Sequence, residues 1–214
     1  MKKLFAALML LTSFNAMAEP QMGVDFDATV QKITPEVAAN KIEVIELFWY
    51  GCSHCHHMEQ PLNAWLKKLP SDVVFKRVPG LPQPAWAPMA KAYYAMETLS
   101  VLEKLHTPLF EAIHTKKTLN PTDEKAAIDW ITKQSGLDKK KVEEAFGSFS
   151  INTSLNRAAN IFRASGATGV PTLIIDGQYA TKSTSGGNEN TLKTADYIIN
   201  NVRADKAKAT PVKK

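Results

Sequence analysis

Only two cysteines occur in 214 residues, which excludes a small disulfide-scaffolded domain, where several bridges replace a core. No apolar run approaches the roughly 20 residues needed to span a bilayer, the longest candidate being Leu4 to Leu11. Neither sign of charge dominates: 26 Lys and Arg stand against 21 Asp and Glu. No basic stretch carries interleaved aromatics, so the footprint of a nucleic-acid-binding surface is missing. No internal repeat is visible, which removes solenoids and arrays.

What is present starts with an address. "MKKLFAALMLLTSFNAMA" has Lys2 and Lys3, a short apolar run and a closing Ala16-Met17-Ala18. This is the pattern of a secretory signal peptide over residues 1–18, with cleavage expected after Ala18. Export places the chain in the periplasm or outside, where disulfides persist and a thiol needs a reason to stay free. Cleavage leaves 196 of the 214 residues and lowers the net charge from +5 to +3, because Lys2 and Lys3 go. That length fits one domain, or one domain carrying an insertion. The lysine-rich residues 204–214 are expected to fray as a basic flexible tail.

"IEVIELFW", Ile42 to Trp49, is β-branched and aromatic with little polar relief, the composition of a strand buried on both faces. Gly51 ends it. His54 to Lys68 then carries Met58, Leu62, Trp65 and Leu66 at helical spacing. "DVVFKRV" from Asp72 reads as a second strand, and "PGLPQPAWAP" as a loop. From about Trp86 to Phe162 the pattern is helical. Ser100 with Glu103 forms an expected capping box, and Leu102, Leu105, Leu109 and Ile113 make a stripe that Pro108 interrupts, giving one kinked helix or two short ones. Asn120-Pro121 is expected to open the next helix and Gly136 to close it, Asp138 and Gly147 bracket another, and Gly166 ends the last. Thr172 to Ile175 then reads as a strand, Asp176-Gly177 as a tight turn before a partner strand, and Asn190 to Val202 as a final helix. The order implies an α/β core with an inserted helical subdomain: core 19–83 and 165–203, insert 84–164.

Both cysteines sit in "FWYGCSHCHHM", where strand hands over to helix. Three readings compete. As a staple, a Cys52–Cys55 bridge closes so short a loop that it contributes only about 2 kcal/mol. As a metal site, Cys52, His54, Cys55, His56 and His57 supply suitable ligands for zinc or copper(I). However, no second cysteine pair exists, His56 and His57 diverge by about 100° on a helix, and His106 and His114 are expected at helical surface positions. As a redox pair, Cys52 at the helix start gains from unpaired N–H groups and the helix dipole, which favour its thiolate. His54 can add positive charge or a hydrogen bond. A stabilised thiolate leaves easily and makes the disulfide form oxidising. Cys52 is then the sulfur attacked by a substrate thiol, and Cys55, one turn deeper, the resolving thiol.

"VIELFWYGCSHC", the later "GVPTLIIDG" and the helical block between them resemble thioredoxin-fold proteins, specifically the DsbA family of periplasmic thiol:disulfide interchange proteins. The resemblance covers nearly the whole mature chain and implies a thioredoxin-like fold with an inserted helical subdomain. It implies a cis Val170-Pro171 bond beside the redox pair, where substrate backbone docks; a proline opening a strand is the plainer alternative. It further implies that the buried acid Glu46 manages protons, with Lys76 or Arg77 facing it. A glutamate at a wet strand end is the alternative there. Ser53 stands where the family usually has proline, which frees a backbone N–H and loosens the helix start.

The expected activity is dithiol oxidation of folding exported proteins. No cofactor is expected beyond the redox-active Cys52–Cys55 disulfide, and no metal. A DsbB-type quinone-linked inner-membrane oxidase is the expected reoxidant. Dimeric isomerases on this fold carry a substantial preceding domain, whereas about 23 residues separate Glu19 from Ile42, so a monomeric oxidase is expected. A disulfide isomerase or reductase, or a Cys/His metal-binding module, remains the alternative.

Overall fold

The computed structural model describes residues 19–182 and 187–209. The expected signal peptide and residues 210–214 of the expected tail lie outside that range. A five-stranded sheet has the order β1-β5-β4-β2-β3, built from β1 (Phe26–Ala28), β2 (Ile42–Phe48), β3 (Val73–Pro79), β4 (Thr172–Ile175) and β5 (Tyr179–Thr181). β2 pairs parallel with β3 and antiparallel with β4. It therefore lies between two neighbours, and all seven of its residues are buried, as its apolar composition requires. β1 carries no strand signal of its own; its pairing with β5 makes it a strand.

Helix α1 (Ser53–Leu66) follows β2, and α7 (Gly187–Ala209) ends the described chain. Ile42 and Val44 of β2 pack with Met58, Leu62 and Trp65 of α1 and with Leu192, Ile198 and Ile199 of α7. Ile45 and Leu47 point the other way, into a core shared with α2 (Ala87–Thr98), α3 (Leu102–His114), α4 (Glu124–Ser135), α5 (Lys139–Phe146) and α6 (Phe149–Ser165). The alternation along one strand thus serves two apolar layers.

Several local expectations change. Ser100 does not cap α3: it adopts a left-handed φ of 56° and donates its N–H to Glu97 O, closing α2, so Val101 takes the cap position. Pro108 lies inside one continuous α3. Asn120 turns the chain by accepting from Thr122, and Asp123 caps α4 by accepting from Ala126 N at 2.9 Å. Residues 204–209, expected in the frayed tail, continue α7, where Lys206 reaches the buried Asp176 at 2.9 Å. Asp176 and Gly177 both have positive φ at the centre of a turn that Gln178 N closes by donating to Ile175 O, and residues 176–178 separate the paired Ile175 and Tyr179. A Cβ at Gly177 would also strike the Ile33 carbonyl.

Candidate functional site

Cys52 is the N-cap of α1, in extended conformation, with its sulfur accepting from Cys55 N at 3.4 Å. A donor hydrogen bond from the Cys55 side chain, the N–H groups of Cys55 and His54, and the charge of His54 outweigh partial burial and lower the Cys52 thiol to about 6. Cys55 is fully buried. Burial, the donor role toward Cys52 and the charge of Glu46 push its thiol well above the ordinary range. Two identical side chains are therefore held as a half-buried anion and a buried neutral thiol. Ser53 and His54 are exposed on the first turn.

The Val170-Pro171 bond is cis, and Val170 O lies 3.4 Å from Cys52 Sγ, which donates to it as a thiol. The loop, distant in sequence, thus touches the half-buried sulfur. Beside it opens a groove of about 880 Å³ lined in part by Gly169, Val170, Pro171, Met22 and Val30, the last two exposed.

Glu46 is buried, not a wet strand end. The parallel register pairs it with Arg77 and pairs Lys76 with Ile45, so Arg77 is its partner and Lys76 instead reaches Glu43 at 2.7 Å. Arg77 Nε stands 3.0 Å from Glu46 Oε2, a close ion pair that lacks hydrogen-bond alignment. Burial raises the Glu46 carboxyl to about 7, Arg77 opposing and Glu59 reinforcing the shift.

Sequence reasoning missed the continuation of this charge pair. Arg77 Nη2 donates to Glu59 Oε1 at 3.3 Å, His106 Nε2 lies 3.3 Å from the same oxygen, and the Tyr50 hydroxyl is 2.6 Å from His106 Nδ1. His106 is buried rather than on a helical surface. Its position was available as a signal, since 106, 109 and 113 share the spacing of the buried stripe of α3. His114 is also drawn inward, with Nε2 at 2.7 Å from Tyr50 O. His56 stacks on His114 with centroids 5.1 Å apart, while His57 is exposed. Among the described residues, no group of three or more His, Cys, Asp or Glu is arranged to hold a metal ion.

The DSBA-like thioredoxin domain model matches residues 54–198, from two residues after Cys52 to the middle of α7. The thiol:disulfide interchange protein DsbA of Burkholderia cepacia is 34% identical over 213 residues, covering 96% of this chain and 100% of the relative. That of Azotobacter vinelandii is 39% identical over 171 residues, 79% of each chain. The crystal structure of Pseudomonas aeruginosa DsbA, 34% identical, superposes with a TM-score of 0.80 over 88% of this chain and 97% of that one. A family match over more than half the chain, with relatives at this identity over most of their length, places the protein in the DsbA-like thioredoxin family.

Proposed function

We propose that this protein is a periplasmic dithiol oxidase that donates its Cys52–Cys55 disulfide to folding exported proteins. The observation that carries the reading is the unequal pair: a stabilised thiolate at Cys52 and a buried, proton-retaining thiol at Cys55. A substrate thiolate attacks Cys52 Sγ and the S–S bond breaks. The electron pair goes to Cys55 Sγ, which takes a proton. Glu46, the buried acid poised near neutrality, is the group that supplies and recovers it. A second substrate thiolate then attacks the substrate sulfur of the mixed disulfide and expels Cys52 as thiolate. The substrate loses two electrons and the protein gains them. His54 tunes the Cys52 thiolate, and Ser53 sets how firmly the helix start is held.

The groove beside Pro171 accepts unfolded segments by backbone pairing with little sequence preference, a reading supported by its exposed apolar residues Met22 and Val30. Export by residues 1–18, the division into core 19–83 and 165–203 with insert 84–164, a monomeric state and reoxidation by a quinone-linked inner-membrane oxidase of the DsbB type complete the proposal. Equilibration with glutathione tests it. The expected potential is well above that of a thioredoxin, about −270 mV, and a value near that figure would make the protein a reductase. Cys52→Ser is expected to abolish oxidation of a reduced model protein, while replacing His56 and His57 leaves it largely intact. Equal loss from both changes would favour a metal-binding module.

A further inference from the structure

Tyr50, Glu59 and His106 take no part in the sulfur chemistry, yet three buried polar side chains are expensive without a partner or a task. We propose that His106 is a positioning residue: by holding Glu59 it leaves the Arg77 guanidinium to Glu46, and so sets the proton affinity of the buried carboxyl that senses Cys55. The inference rests on the proposed proton exchange between Glu46 and Cys55.

One guanidinium serves two carboxylates. Its Nε approaches Glu46 and its Nη2 approaches Glu59. With both acids ionised, two buried anions share one cation, so whatever else satisfies Glu59 decides how closely Arg77 can keep to Glu46. His106 is that group, because its Nε2 meets the same Glu59 oxygen that Arg77 meets. An ionised carboxylate only accepts, so Nε2 carries the hydrogen, and in the neutral ring Nδ1 accepts from the Tyr50 hydroxyl. The ring is held in place edge-on to Phe48, Tyr50 and Phe110, with centroids 5.5, 5.2 and 5.4 Å away.

The charged and titratable groups around it come from every neighbouring element. They are Tyr50 from the β2–α1 connection, Glu59 from α1, Arg77 from β3, Tyr93 from α2 and Glu103 from α3 itself. Burial lowers His106 below the ordinary histidine range and Glu59 opposes that shift. For Glu59, burial acts upward, but His106 and Arg77 together bring the carboxyl below its ordinary value. A neutral donor and an ionised acceptor is the consistent arrangement. Without the donor, Glu59 depends on Arg77 alone and draws it from Glu46, whose proton affinity rises. Without the Glu59 charge, Arg77 is free for Glu46 and a repelling anion is gone, so the affinity falls.

The test is a carboxyl carbon-13 NMR titration of Glu46 in the full oxidised protein. His106→Leu is expected to raise the Glu46 midpoint by about one pH unit. His106→Gln, whose amide can still donate to Glu59 and accept from Tyr50, should stay near the parent. Glu59→Gln should lower the midpoint, and in that background His106→Leu should have no further effect. An equal His106→Leu shift in both backgrounds, or none in the parent, overturns the proposal. Should His106→Leu fail to fold by circular dichroism, His106→Phe, which keeps a ring in the aromatic cluster and has no donor for Glu59, carries the same comparison. The titration is read without turnover, so a reducing potential in the glutathione assay and a flat carboxyl response are separate failures.

Discussion

Cys52 and Cys55 differ in nothing but place, and place separates their acidities in opposite directions. The largest contribution at Cys52 is the hydrogen bond from the Cys55 side chain; the charge of His54 ranks below it and below the backbone N–H groups. Thiolate absorbance should therefore titrate near pH 6 in the parent. Cys55→Ala should move the midpoint toward the ordinary value of 9.0 by more than His54→Leu does. A larger response to His54→Leu would mean that a side-chain charge, rather than the partner thiol, holds the anion. The placement of Cys52, Cys55 and His54 where strand hands over to helix was legible in a local pattern, whereas the cis Val170-Pro171 bond was implied by the family resemblance alone. Arg77 as the partner of Glu46 was not legible: two adjacent cations on β3 were equally available until the parallel register paired Glu46 with Arg77.

Among the elements, the connection between β2 and α1 has the least room. A Cβ on Gly51 would run into the six-membered ring of Trp49. That ring cannot step aside freely, because it stacks on Trp86 at 4.3 Å and 6°. Gly51→Ala is expected to break the stack and cost about 1–3 kcal/mol, the usual range for overpacking. The tryptophan fluorescence should shift with it. Unchanged fluorescence and melting would show that the loop carries no such constraint. Gly51 was readable as the end of a strand, but the reason for a glycine lay in a contact with the start of the helical block. The same limit explains the other misreadings. Long periodic segments such as β2, α1 and α6 declare themselves. β1 exists only through β5, and the α3 start turned on whether Ser100 closed the preceding helix or capped the next one. The relay from Glu46 to Tyr50 joins β2, β3, α1 and α3, and no window of sequence contains it.

At the scale of the whole molecule, the redox state of two atoms is linked to the stability of the fold. The folded dithiol holds Cys52 at about 6 against an ordinary value of 9.0. A depressed acid contributes stability that is fully present above the unfolded value and lost as pH falls through the folded one. The reduced form should therefore gain stability between about pH 6 and 9. The shift corresponds to at most ~4 kcal/mol, and solvent screening of a half-exposed thiolate leaves ~1–2 kcal/mol. The oxidised form has no such titration and gains only the modest constraint of a very short loop, offset by whatever strain the bridge carries. Glu46 acts in the opposite sense in both forms. Its raised value, about 7 against 4.5, removes stability as pH climbs through that interval, and the part due to burial, the largest cause, drops out when the two forms are compared at one pH. Cys55 stays a thiol in both folded and unfolded dithiol until the ordinary thiol value is approached. The difference in melting temperature, reduced minus oxidised, is therefore expected to be positive at pH 8 and to shrink or reverse by pH 5.5. A difference that stays flat across that range would remove the thiolate as the source of oxidising power, because the free energy that makes the disulfide easy to donate is the same free energy that stabilises the dithiol fold.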